Sequence, residues 1–211
     1  MPPTLRVRNT IRGLLQSYGP PSVKRRLWNS EFSRGRWDGD GGSSRDVVYQ
    51  FVENYAAGGS ILDLGCGQGR AGNELDETKY ARYTGVDVSD VALAAARQIS
   101  AANGRADRHE YAQSDLFSYV PDRCHDVILF MESIYYVPWA RISSMLARYA
   151  QYLDDRGVFI VRVWSGTNKY RPIVDIIERD FQILQKHVFE NPDAIVVIFR
   201  DRPWLSPATI N

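Results

Sequence analysis

Seven consecutive residues, Asp63-Leu64-Gly65-Cys66-Gly67-Gln68-Gly69, are the stretch of the chain best suited to chemistry. They close a short apolar run, Ser60 to Leu64, so the glycines fall on the turn that leaves a strand. Glycine has no Cβ, and this turn can therefore bring main-chain N–H groups close to a bound molecule. A nucleotide or its analogue is the expected occupant. A dinucleotide fingerprint runs G-x-G-x-x-G, whereas here Arg70 stands where the third glycine would pack helix on strand. No Lys-Ser or Lys-Thr pair follows the glycines, which removes the P-loop. Asp63 would repel a pyrophosphate but suits a cationic or amine-bearing ligand.

Such a turn needs a sheet to hold it, and the pattern from residue 58 onward supplies one. Strand-like runs are Ser60 to Leu64, Ala81 to Val88, Arg108 to Ser114, Asp126 to Met131 and Gly157 to Trp164. Helical patterns separate them, notably DVALAAARQISAAN from Asp90, capped by Ser89, and RISSMLARYAQYL from Arg141. This alternation predicts parallel strands with right-handed crossovers, hence a doubly wound α/β sheet that binds ligands at the carboxyl ends of its strands. Phe181 to Phe189 and Ala194 to Arg200 are also strand-like. Only ENPD lies between them, so they should form an antiparallel hairpin at one end of the sheet.

The 211 residues are 44% hydrophobic and 24% charged, which fits one globular domain preceded by an arm. A net charge of +1 gives no strong overall field toward nucleic acid or membrane. No apolar run approaches the roughly 20 residues of a membrane span. Cys66 and Cys124 are too few for a disulfide framework or a Cys-based zinc site; they suit a reducing, cytoplasmic setting, and no metal is expected. The arm, residues 1–42, joins the domain, 43–211, through GDGGSS. It carries Arg6, Arg8, Arg12, Lys24, Arg25 and Arg26 with no acid before Glu31. Leu5, Ile11, Leu14, Leu15 and Tyr18 give it a rough helical face that ends at Gly19-Pro20-Pro21. An arm folded over the domain is the favoured expectation, beside a transit peptide or a membrane-surface helix.

The glycine turn resembles the first motif of the class I S-adenosylmethionine-dependent methyltransferases. The resemblance continues in order through GVDVSD, AQSDLF and the fourth strand, over about residues 58–164, and the terminal hairpin matches that family's reversed seventh strand. It implies a Rossmann-like seven-stranded sheet, mostly parallel, and S-adenosylmethionine as cofactor, released as S-adenosylhomocysteine. It implies that Asp87, with Val88 beside it, grips the ribose hydroxyls, and that Asp115 meets the adenine amino group with Leu116 beside the ring. Asp63 with Gly65, Cys66, Gly67 and Gly69 would receive the methionine ammonium, and Met131 would wall the reacting end. The methionine carboxylate needs a cation, for which Arg45 is the candidate. Trp28, Phe32 and Trp37 are candidates for a lid over the methionine end, where aromatic faces also tolerate a sulfonium.

The fourth strand ends in FMESIYYVP. Nucleic-acid amino-methyltransferases of this class carry Asn or Asp before Pro-Pro-aromatic there, so a small-molecule acceptor is expected; Glu-x-x-Tyr-Tyr resembles small-molecule enzymes, including those that methylate the amine of nodulation-factor sugars. Glu132 is the candidate proton acceptor or amine-orienting group, with Tyr135 and Tyr136 shaping the pocket. His109, His125 and His187 sit at places unsuited to catalysis, so an N nucleophile is favoured over an O nucleophile, which would want a histidine or a metal. Trp164, Ser165, Asn168, Lys169 and Tyr170 follow the fifth strand and are candidates for acceptor recognition. Two other classes stay open: an NAD-dependent oxidoreductase, and a non-catalytic binding protein of this fold whose basic arm docks on an acidic partner.

Overall fold

The computed structural model describes residues 3–35, 37, 46–166, 168–191 and 193–202. Seven strands form one sheet among them: β1 (Ser60–Leu64), β2 (Arg82–Asp87), β3 (His109–Gln113), β4 (His125–Met131), β5 (Leu153–Trp164), β6 (Gln182–Glu190) and β7 (Asp193–Arg200), in the order β3-β2-β1-β4-β5-β7-β6. The first five run parallel; β7 lies antiparallel between β5 and β6. This is the α/β, doubly wound, mostly parallel architecture with a terminal antiparallel hairpin. The strand order reverses between β1 and β4, which opens a crevice at their carboxyl ends.

Among the described residues seven α-helices accompany the sheet: α1 (Pro3–Tyr18), α2 (Pro21–Phe32), α3 (Tyr49–Ala56), α4 (Arg70–Glu74), α5 (Asp90–Ala102), α6 (Trp139–Ala150) and α7 (Arg171–Asp180). Side chains alternate across a strand, so β4 sends Ile128 and Phe130 to one face and Val127 and Leu129 to the other. The first face is covered by Ile142, Leu146 and Tyr149 of α6 and Ile173, Val174 and Ile177 of α7. Val52 and Ala56 of α3 cover the second. Both faces are thus dry, as a parallel sheet requires. Ser89 caps α5 through Ala92 N–H at 3.1 Å.

Four elements differ from the sequence expectation. β5 starts at Leu153 instead of Gly157, because Leu153 pairs with His125 across a bulge, and α6 accordingly begins at Trp139 and ends at Ala150. α7, and α2 within the arm, were not foreseen. The GDGGSS linker lies outside the described residues.

His125 opens β4 with both ring nitrogens buried and, among the described residues, without a hydrogen-bond partner. Burial, aided by the Arg123 charge, holds its pKa down to about 4. A free histidine titrates near 6.5, so below that pH the unfolded chain takes up a proton that the folded chain refuses. Stability from this source is present above pH 6.5 and is lost as the pH falls toward 4. His125→Phe should therefore gain on the parent as the pH drops, by up to about 3 kcal/mol at pH 4. Urea midpoints across pH measure the difference; a pH-independent difference would refute it.

Candidate functional site

The glycine turn closes over the carboxyl end of β1 with Gly65, Gly67 and Gly69 all at positive φ, 85°, 54° and 71°. The Gly65 and Cys66 N–H groups both donate to the Val86 carbonyl, at 2.8 and 3.0 Å, which ties the turn to β2. A Cβ on Gly65 would collide with Ser133, whose hydroxyl donates to the Leu64 carbonyl at 2.5 Å. Gly69 serves packing: a Cβ there would stand 2.7 Å from the Tyr111 hydroxyl, and Gly69 itself does not border the crevice.

The crevice holds a cavity of about 290 Å³. Its floor is the turn, with Asp63, Gly65, Cys66 and Gly67. Asp87 and Val88 border it at the end of β2, Asp115 and Leu116 after β3, Met131 at the end of β4, and Glu132 and Tyr136 after β4. Trp28, Phe32 and Trp37 of the arm roof it. Of the residues singled out by sequence, Tyr135 stands behind this wall and Arg45 lies outside the described residues.

Asp87 is buried and accepts two main-chain N–H bonds, from Gly67 to Oδ2 at 2.9 Å and from Ser89 to Oδ1 at 2.8 Å. Burial raises its pKa, and the bonds from Ser89 and Gly67 oppose the rise. A carboxylate offers about four lone-pair directions, so two remain for a diol. Asp63 is more isolated. Its Oδ2 accepts from the Tyr83 hydroxyl at 2.6 Å, while Oδ1 is buried and has no partner among the described residues. Burial pushes its pKa up to about 7 against the Tyr83 bond, with the Asp87 charge adding to the rise. An orphaned buried carboxylate oxygen beside a glycine cradle fits an ammonium group.

Asp115 is engaged from the arm. Lys24 of α2, itself 7% exposed, donates to Oδ2 at 2.7 Å and lies 5.2 Å from the Phe117 ring, while Oδ1 accepts the Phe117 N–H at 2.9 Å. α2 is pinned at two further points. Asn29 bonds both Ser89 and Asp90 at the head of α5, and Trp28 meets Tyr136 edge to face at 4.6 Å. The helix thus spans the ends of β2, β3 and β4 above the cavity.

At the end of β4, Glu132 has φ 56°, a left-handed conformation that is costly for a residue with a side chain. The Glu132 N–H donates to the Arg162 carbonyl at 3.1 Å. Its carboxylate is held on both oxygens: Arg162 bonds Oε1, and the Tyr135 hydroxyl donates to Oε2 at 2.6 Å. Arg162 also meets Asp46 at 3.2 Å. Tyr135 accepts the Trp164 N–H and stacks on Tyr170 at 3.8 Å, so Tyr170 supports the wall from behind. Trp164, Ser165, Lys169 and Tyr170 do not border the cavity, and the Asn168 side chain lies outside the described residues. Tyr136 does border it; burial pushes its pKa up to about 12, so its hydroxyl keeps its proton. His187 is remote, stacked on Phe51.

The roles of Lys24, Tyr83 and Arg162 are not visible in the sequence. Each touches its carboxylate only through the fold, across 91, 20 and 30 positions.

Comparison with known proteins bears on the fold that carries this geometry. Residues 61–157 match a family model described as a methyltransferase domain. The 27-O-demethylrifamycin SV methyltransferase of Amycolatopsis mediterranei is 25% identical over 125 residues, 53% of this chain and 44% of the relative. The match therefore spans less than half of that relative's length. Among solved structures, a TehB-like SAM-dependent methyltransferase from Corynebacterium glutamicum superposes with TM-score 0.64 at 19% identity, covering 82% of this chain and 98% of that one. The N-methyltransferase NodS from Bradyrhizobium japonicum, in complex with S-adenosylhomocysteine, gives 0.62 at 16% identity, covering 83% and 99%. At such identities the structures share the fold.

Proposed function

We propose that this chain, whose residues 61–157 form a methyltransferase domain in a class I fold, transfers the methyl group of S-adenosylmethionine to an amine of a small molecule. The observation that carries the cofactor is the pairing of two buried carboxylates around one glycine turn: Asp87 with lone pairs left for ribose, and Asp63 with an orphaned oxygen for the ammonium. Asp63 does not suit a dinucleotide, whose pyrophosphate would lie against it.

The bound cofactor supplies a methyl group already activated by its sulfonium. What remains for the protein is to hold and orient the acceptor, which can contribute about 7–11 kcal/mol when the reacting atoms are held at attack distance. Asp115 retains lone pairs for the adenine amino group beside Lys24, and Leu116 packs on the ring. Trp28, Phe32 and Trp37 exclude water from the methionine end, which gives the arm, residues 1–42, the role of a lid. Glu132 orients the acceptor. Taking a proton would weaken its charge-assisted bond to buried Arg162, so the carboxylate suits a hydrogen bond from an amine N–H better than full proton transfer. The amine is favoured because no histidine faces the cavity to deprotonate an alcohol.

Binding of S-adenosylhomocysteine by calorimetry, followed by an acceptor screen for a mass gain of one methylene, tests the proposal. A chain that binds the dinucleotide instead, or neither, overturns it. The same calorimetry reads Asp63. With a pKa of about 7 this group is near half-protonated at pH 7, and an arriving ammonium lowers it, so binding should release about half a proton. Binding enthalpies in phosphate and Tris should differ accordingly, and Asp63→Asn should erase the difference. Equal enthalpies for the parent would refute it.

Glu132→Gln keeps the shape and the strained backbone but loses the charge. We expect unchanged S-adenosylhomocysteine affinity with kcat lowered by about 10-fold or more, about 1.4 kcal/mol of transition-state stabilisation. Full activity on the true acceptor would remove Glu132 from the site's chemistry.

A further inference from the structure

One face of α1 is apolar and uncovered. Ile11, Leu14, Leu15 and Tyr18 recur at helical spacing and all are exposed, Leu14 at 54% and Tyr18 at 70%. Two other described side chains of the helix are engaged. Gln16 borders the cavity, and Arg12 reaches back to the Leu27 carbonyl and to Glu31 of α2. Four apolar side chains therefore stand on the solvent side of a helix packed at the mouth of the cavity, where a merely solvated helix would carry polar groups.

The arm that carries this face is predominantly basic. The first thirty residues contain six Arg and Lys and no Asp or Glu. Lys24 and Arg12 are engaged by Asp115 and Glu31, but Arg25 and Arg26 of α2 are exposed. The whole chain carries only +1, so the attraction for anions is local to the arm. An amphipathic helix with a narrow apolar face, a tyrosine at its edge and basic neighbours has the build of an interfacial helix.

We propose that α1 lies in the headgroup region of an anionic membrane, seating Ile11, Leu14, Leu15 and Tyr18 at the acyl boundary with the arm's basic residues against lipid phosphates. The chain rests on the bilayer and does not cross it: no described helix is long and apolar enough to do so. The mouth of the cavity then opens beside the membrane. Surface binding of this kind is independent of the chemistry proposed above and is read without any acceptor.

The test is sedimentation of the full chain with large vesicles of phosphatidylcholine alone or with about one third phosphatidylglycerol. We expect binding to the anionic vesicles, at least about 10-fold stronger than to the neutral ones, that weakens as salt is raised. The double variant Leu14→Glu/Leu15→Glu should lose it by a similar factor while circular dichroism and melting temperature stay those of the parent. The proposal fails if the parent ignores anionic vesicles, or if the folded variant binds as well as the parent. It also fails if light scattering finds a dimer of the parent that the variant abolishes and no lipid binding, which would assign the face to a second copy of this chain.

Discussion

Asp87→Ala should leave a folded protein whose affinity for S-adenosylhomocysteine is at least about 10²–10³-fold below that of the parent. A hydrogen bond to a charged group contributes about 1.5–3 kcal/mol, and a ribose offers two hydroxyls to one fixed carboxylate. Their joint loss, about 3–6 kcal/mol, is a factor of about 10² to 10⁴ in Kd. A second effect runs the same way. The Gly67 and Ser89 N–H groups donate to Asp87 at 2.9 and 2.8 Å, so the alanine variant orphans both and loosens the cradle that must meet the cofactor. Asp87→Asn separates the two contributions. Its amide keeps one acceptor oxygen, which can hold one of those N–H groups, but it carries no charge for the diol. Its affinity should fall between the two. Calorimetric titration measures all three, and an alanine variant within threefold of the parent would dismiss the ribose role.

The division between what could be foreseen and what could not follows the range of the interactions. The cradle was legible because its chemistry is local: three glycines, a preceding strand and Asp87 at the next strand's end are each visible within a few residues. The succession of β1 to β5 along the chain was legible for the same reason, since alternating periods of two and 3.6 are short-range signals. Asp115 shows the limit. Its position was foreseen, but not that Lys24 reaches it from the arm, because nothing in a run of thirty residues says which basic side chain turns inward. Glu132 is similar. Its place in the pocket was foreseen, whereas Arg162 sits inside the apolar strand GVFIVRVW, where a charged residue reads as an outward-facing one. Residues 154–156, two aspartates and an arginine, precede the expected strand start at Gly157, yet the backbone of β4 recruits them into β5 through the bulge near His125. The third glycine was misjudged in kind: Gly69 is required by Tyr111 of β3, a packing constraint from an element forty residues on.

Arg162→Met should cost about 1–3 kcal/mol of stability, less than for a fully buried ion pair because the Glu132 side chain stays 34% exposed. Arg162 is 8% exposed and meets Glu132 and Asp46, so its loss leaves two carboxylates near each other with no cation between them. The effect on activity comes by a separate route. Glu132 sits at φ 56°, and the side-chain bond to Arg162, together with the Glu132 N–H bond to the Arg162 carbonyl, holds that conformation in place. The carbonyl bond survives in the methionine variant and the side-chain bond does not. Arg162→Met should therefore lower kcat as well as the urea midpoint, while S-adenosylhomocysteine, held by Asp63, Asp87 and Asp115, binds almost as in the parent. The pair Arg162→Met/Glu132→Gln decides between an electrostatic and a packing origin. Removing the charge on Glu132 removes its repulsion with Asp46, so the double variant should be more stable than Arg162→Met alone by about 1 kcal/mol or more. If the two substitutions instead add, Arg162 contributes by filling space, and Glu132 owes its position to Tyr135 and the backbone alone.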